Sequence, residues 1–418
     1  MTIPTQLTKL VIGAMLSVLA SGCAPPPVAI TQPLALQFID SPASGRSGQA
    51  ALNRSPDGQL VLSWLDHFPD DRVALRSADY ADNGWHSQTT IATGSDWFVN
   101  WADFGAVVPL RGTRRLAHWR VRSGPATYAY DIHVALSSDQ GRRWDTPFVL
   151  HRDGTRTEHG FVSVYPTANG AGIHWLDGRA TDGGGRGHHA TGGAMQLFNT
   201  VLGGDAADAQ VVDARVCDCC QTASAMTDSG PLVAYRDRSD DEVRDIVVAR
   251  IDSQPPTPPQ TLGPDNWKIE GCPVNGPVLD ASGDHVAIAW FTGADHTPTV
   301  QLAFSDDGGR RFGDALVIDK EQPVGRVDIV WLDANSVAIS WVCTSSSDAA
   351  QLCLRRATAS GDLSPIYTTV ALDSSRRSGM PQMERSGDQL VFAWQAIGDT
   401  ATDTYVRTAV LPISTLRP

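Results

Sequence analysis

Residues 137–144 read SSDQGRRW, and residues 305–312 read SDDGGRRF. Both fit S-x-D-x-G-x-x-[WF]. In such a stretch the serine and aspartate side chains take the hydrogen bonds of a tight turn. Glycine fills the position that needs positive φ, and the aromatic ring plugs the layer below. Residues 77–85 (SADYADNGW) carry a decayed copy. Outward from these turns runs a longer period. A strand ending in an aromatic residue returns as VLSW at Trp64, AHW at Trp119, IHW at Trp175, VAY at Tyr235, IAW at Trp290, ISW at Trp341 and FAW at Trp394. The spacings are 55, 56, 60, 55, 51 and 53 residues. Each marker follows a tight turn, and each turn follows another short strand, often introduced by glycine (SGQAALNR, HGFVSV, NGPVL, GRVDIV).

No long stretch shows helical periodicity, so the pattern predicts an all-β chain. A period of 50–60 residues with several short strands per unit is that of a β-propeller blade. Seven units are counted, and six blades is the competing reading. The last unit is short, and Leu34 to Asp40 (LALQFID) reads as its missing outer strand. Pairing the two closes the ring and removes an open sheet edge. The S-x-D-x-G-x-x-[WF] turns lie between the third and fourth strands of their units.

That turn resembles the Asp box, or BNR repeat, of bacterial sialidases and related β-propellers. The resemblance covers the mature chain as a fold. It implies clustered arginines that grip a sugar carboxylate bidentately, a tyrosine nucleophile helped by glutamate, and an acidic general acid. The F-R-I-P signature of those enzymes is absent; the nearest segment is WFVNWAD at 97–103. In a propeller, second-to-third loops and blade-to-blade loops share one face. That face carries most of the unusual residues here, which predicts a polar, charged funnel. Its candidate substrate-binding residues are Arg179, Arg236, Arg238, Arg244, Arg326, Asn100 and Asn275. The candidate catalytic residues are Asp103, Glu158, Glu242 and Tyr128. Tyr130 and Tyr235 are further phenols, and Tyr235 is expected to fill the core position that tryptophan takes elsewhere.

The chain has 418 residues, 42% of them hydrophobic, which is enough for a sizeable core and excludes wholesale disorder. Net charge is −13, and lysine occurs only at positions 9, 268 and 320. No basic stripe is present, which argues against a nucleic-acid partner. Lys9 precedes an apolar run from Leu10 to Ala20, which is too short to span a bilayer and reads as an export signal. The run ends Leu19-Ala20-Ser21-Gly22-Cys23, which resembles a bacterial lipobox with Cys23 as the lipidated residue. The expected organisation is therefore a signal peptide (1–22), lipidated Cys23 with a Pro-rich tether (23–33), and one propeller domain (34–415). The expected location is the bacterial cell envelope, with the domain in the periplasm or at the outer surface. The lipid supplies the membrane contact.

Six further cysteines follow. Cys343 and Cys353 lie on successive strands of one unit and are expected to pair. Cys217, Cys219, Cys220 and Cys272 stand at the starts of adjacent units and are expected to cluster. They read either as two disulfides of unknown pairing or as a thiolate site for Cu or Zn, joined by His159, His188 or His189. No cofactor is otherwise expected. Three functions follow: recognition, with or without hydrolysis, of an acidic glycan or other small anionic ligand; a non-catalytic binding or assembly module of the envelope; and metal or redox handling.

Overall fold

The computed structural model describes residues 1, 31–181, 193–203, 209–251, 258–344, 349–398 and 403–417. Seven antiparallel sheets follow one another along the chain. Their first strands are Ser47–Arg54, Ala106–Pro109, His159–Pro166, Ala223–Thr227, Val278–Ser282, Pro323–Asp333 and Gln382–Ser386. Neighbouring first strands pack against one another round most of the ring, and residues from all seven line one central cavity. The protein is a seven-bladed β-propeller.

The aromatic markers explain the ring. Seven hydrophobic clusters are present, and each joins two neighbouring blades. Trp64, Trp119, Trp175, Tyr235, Trp290, Trp341 and Trp394 each belong to a different one, and none is more than 4% exposed. One large ring at the end of each second strand thus fills one wedge between blades. In five of the seven the polar atom is bonded, as burial favours: Trp64 donates to Asp66, Trp175 to Asp177, Trp290 to Asp265, Trp341 to Asp319, and Tyr235 Oη to Asp213.

Closure also follows the sequence. Gln37–Ile39 pairs antiparallel with Thr404–Pro412 as the outer strand of blade seven. One element was not anticipated. Thr31–Pro33 pairs parallel with Ile366–Ala371, so residues assigned to the tether form a fifth strand on blade six. The other boundary also moves, because Leu416 is buried in the cluster between blades six and seven. The leader, Cys23 and the His188–His189 pair lie outside the described residues. Among the described residues, no helix is long and apolar enough to cross a membrane.

The two S-x-D-x-G turns carry the same bonds. Gly141 N donates to Ser137 Oγ at 2.9 Å, and Gly309 N to Ser305 Oγ at 3.0 Å. Arg143 N and Arg311 N donate at 2.9 Å to the following aspartates, Asp139 and Asp307. At the opposite end of the blades, three first strands start with a bulge. The register slips at Gly48/Ala51, Gly160/Ser163 and Gly325/Asp328. The residue after each glycine has positive φ: Gln49 50°, Phe161 50° and Arg326 54°. A bulge re-aims a side chain at a sheet end, and a non-glycine residue in this region is strained unless its surroundings hold it.

Candidate functional site

The glycine-introduced bulges, the blade-to-blade loops and the second-to-third loops all meet at one end of the axial cavity. That cavity is about 260 Å³. Its polar lining includes Asn53, Asp103, His118, Arg120, Ser163, Gln221, Ser224, Asp328 and Gln382. Ala102, Asp103 and Phe104, from the loop that leads from blade one to blade two, line the cavity. Asn100 Oδ1 accepts from Ala102 N at 2.8 Å and from Asp103 N at 3.3 Å, which turns the chain inward. Gln221, from the start of blade four, donates to Ala102 O at 2.9 Å. Trp101 then reaches blades six and seven, where the guanidiniums of Arg326 and Arg376 lie 5.2 and 5.7 Å from its ring centre.

Asp103 anchors a buried polar chain. Arg120 forms an ion pair with it, and both side chains are 1% exposed. Phe161 N donates to the same Asp103 oxygen at 2.9 Å. Tyr130 Oη stands 2.9 Å from the other Asp103 oxygen and 2.8 Å from Glu158 Oε1. A phenol has one proton to give, so a second proton is needed in that chain. Glu158 supplies it: burial, with Asp103 and Asp218 nearby, pushes its carboxyl up to about 8. Burial likewise drives the Tyr130 phenol far above its usual range, reinforced by both carboxyls. A Cβ on Gly160 would overlap Asp103, so only glycine admits this approach.

Asp103 and Glu158 are therefore together, but around Tyr130 rather than Tyr128. Tyr128 is half-buried against Phe98, 6.1 Å between ring centres. Glu242 lies in blade four, where Arg238 and Arg244 both bond it. These bonds outweigh burial and pull its carboxyl down to about 2.

The arginines differ in what they hold. Arg179 grips Asp177 with two nitrogens, at 2.8 and 2.7 Å, and lies over Phe198. Arg236 is 1% exposed and donates to the main-chain carbonyls of Asn275, Arg244 and Phe291. Arg238 bridges Asp218 and Glu242. Arg244 is fully buried between Glu242 and the Cys217 sulfur. The rim arginines of blade four thus neutralise the protein's own acids and carbonyls. Arg326 differs: it donates to Ser378 Oγ and to the carbonyls of Gly379 and Ser375, all neutral acceptors. Asn275 positions it by accepting from Arg326 N at 2.8 Å.

Cys343 and Cys353 are bonded, with Cα atoms 5.9 Å apart. Cys219 is bonded to Cys272 across the blade four–five junction. That bond takes two sulfurs out of any four-thiolate set and leaves Cys217 and Cys220 as buried thiols, their sulfurs 2.8 Å apart. Burial alone would raise the Cys217 thiol. The Cys220 hydrogen bond and Arg244 outweigh it and bring the thiol down to about 7.

Arg120 and His118 were not among the residues read from sequence. Nothing local marks them: Arg120 is one basic residue in an ordinary second strand, and its partner Asp103 lies on another loop. Alternation along the Tyr130–Ser137 strand is the signal that could have chosen Tyr130, since it sends every second side chain inward.

No protein-family model matches the chain, and no curated protein does. Solved structures resemble it as a fold. A protein of unknown function from Dyadobacter fermentans has a TM-score of 0.48 at 11% identity, covering 91% of this chain and 97% of its own. An α-L-arabinanase from Penicillium chrysogenum, complexed with arabinobiose, has a TM-score of 0.48 at 12% identity over 94% and 100%. The NanB sialidase of Streptococcus pneumoniae has a TM-score of 0.47 at 8% identity over 86% and 84%. Likeness at this level says nothing of substrate.

Proposed function

We propose that this chain is an envelope-anchored propeller that recognises an acidic glycan at the funnel face. The observation that carries the reading is Trp101, flanked by the guanidiniums of Arg326 and Arg376 and next in the chain to Ala102 and Asp103, which line the polar axial cavity. An indole face suits a sugar ring, and guanidiniums suit its carboxylate. The Arg326 side-chain hydrogen bonds described above go to neutral acceptors, and Arg376 beside it is exposed. The cavity volume is of the order of one sugar residue, and hydroxyl groups meet both its donors and its acceptors. Recognition is favoured over turnover by the burial of the phenol. Tyr130 has no exposed surface and its ring is stacked on Phe98 at 4.0 Å. The anchor rests on the lipobox-like sequence ending at Cys23.

Calorimetric titration of the lipid-free protein with a uronic-acid- or sialic-acid-terminated oligosaccharide, and with its neutral counterpart, tests the reading. The acidic ligand is expected to bind more tightly. Arg376→Ala, at an exposed position, is expected to weaken it about tenfold, the loss of one charge-assisted contact. Equal affinity for both ligands, or no binding across a panel of acidic glycans, overturns it.

A further inference from the structure

On the rim between blades two and three lies a cluster that the glycan reading does not use. Asp153 belongs to the loop joining those blades, His159 opens the first strand of blade three, and Asp177 ends its second strand. His159 and Asp177 are fully buried, and Asp153 is 7% exposed. His159 Nδ1 lies 3.3 Å from Tyr130 O. A carbonyl only accepts, so Nδ1 carries a proton. That buried Nε2 has no hydrogen-bond partner among the described residues. Facing it are Asp153 Oδ2 at 3.4 Å and Asp177 Oδ1 at 3.5 Å.

A lone pair turned toward two buried carboxylate oxygens is repulsive unless something positive lies between them. A proton on Nε2 would draw one oxygen in to about 2.7–2.9 Å, the usual length of a charge-assisted bond. Neither oxygen comes so close. Metal–ligand bonds of about 2.0–2.2 Å at the tetrahedral angle put neighbouring donors about 3.3–3.6 Å apart, and the two observed separations match. One donor atom from each of the three residues lies within 4.8 Å of the others.

The surroundings fit the same occupant. His151 Nδ1 holds Asp153 at 2.7 Å, and Thr155 N donates to Asp153 at 3.1 Å. Trp175 Nε1 holds the outer oxygen of Asp177, Oδ2, at 2.8 Å, and Arg179 Nε donates to the facing oxygen, Oδ1, at 2.8 Å. Each candidate ligand is therefore oriented by an outer hydrogen bond, as metal ligands are. Asp153 and Asp177 share one guanidinium, that of Arg179, while Asp131 Oδ1 lies 3.6 Å from His151 Nε2. The His151 and His159 rings are stacked at 3.6 Å and 7°. The same stacking excludes the overlapping grouping, Asp131–His151–His159. An ion lies in the plane of each imidazole that binds it, and two parallel rings cannot share one.

We propose that His159 Nε2, Asp153 and Asp177 bind one divalent cation of the zinc class, with a fourth position left to water. The ion ties the loop from blade two to the first two strands of blade three. Zinc itself is the probe, used on the full mature chain carrying Cys217→Ser and Cys220→Ser so that no thiol competes. One zinc per chain is expected to survive gel filtration. Zinc at a hundredfold excess over its Kd is expected to raise Tm by about 3 °C, reversibly with chelator. Cobalt in its place is expected to show the visible absorption of a tetrahedral site. His159→Gln is expected to weaken binding at least tenfold, with circular dichroism reporting that it folds. A wild-type chain that retains no zinc overturns the proposal whether or not the variant folds. Equal zinc retention in His159→Gln and Asp177→Asn also overturns it. Neither outcome bears on the glycan titration, which uses other residues.

Discussion

Replacing Arg120 by methionine tests whether the buried chain at the cavity is held by its ion pair. Methionine keeps much of the aliphatic volume and removes the charge. Asp103 would keep its contacts with Phe161 N and Tyr130 Oη, at 2.9 Å each, but would lose its only bonded cation while 1% exposed. Breaking one side of a buried pair costs about 3–5 kcal/mol, because the remaining charge is uncompensated. The bond from Arg120 Nη1 to His118 Nδ1, 2.7 Å, is lost as well and adds about 1 kcal/mol. The expected loss is therefore about 4–6 kcal/mol. Asp103→Asn strands the opposite charge and should cost a similar amount. The double variant removes both charges, so the cycle should show a coupling of about 2–3 kcal/mol. Urea unfolding followed by tryptophan fluorescence measures all four proteins. A loss below about 1 kcal/mol in Arg120→Met, or a double variant as unstable as the sum of the singles, would refute the reasoning.

Two further outcomes are expected. Burial, with Glu384 and Asp280 nearby, pushes the Asp328 carboxyl up to about 8, so the folded state holds a proton that the unfolded chain releases near pH 4. Its contribution is complete below about pH 4 and falls by about 1.4 kcal/mol per pH unit toward pH 8. Asp328→Asn should flatten that part of the stability profile, and urea midpoints between about pH 5 and pH 8 that keep the wild-type slope would contradict it. In protein carrying Cys23→Ser, alkylation without reductant should label Cys217 and Cys220 only after unfolding, since they are 1% and 2% exposed. Mass spectrometry finding label on Cys219 or Cys272 would show that the bond between them is wrong.

The fold was legible because its causes are local and repeat. A ring at the end of each second strand, and a glycine where each rim strand bulges, are visible one residue at a time. The roles of the arginines were not, since Arg236 and Arg244 look on paper like ligand-gripping side chains. What decides otherwise is a set of acceptors brought in from elsewhere: Asn275 and Phe291 for Arg236, Cys217 for Arg244. Tyr130 and Tyr128 are two residues apart and chemically alike; only the path of the chain separates a buried phenol from a half-buried one. The cluster of His159, Asp153 and Asp177 has no sequence motif, because its three members come from two blades.

The strand that completes blade seven has a consequence for how the molecule is made. Ile39 and Thr408, which face each other across that seam, are 369 positions apart. Synthesis runs from the amino end, so the first strand of the ring is finished long before its neighbour exists. Until then Phe38 and the adjacent backbone have nothing to zip onto, and the last blade to appear must recruit the earliest segment. The circle is therefore a late and slow event, set by the search of one chain end for the other. A holding factor during that wait would matter more to yield than any single contact in the finished ring.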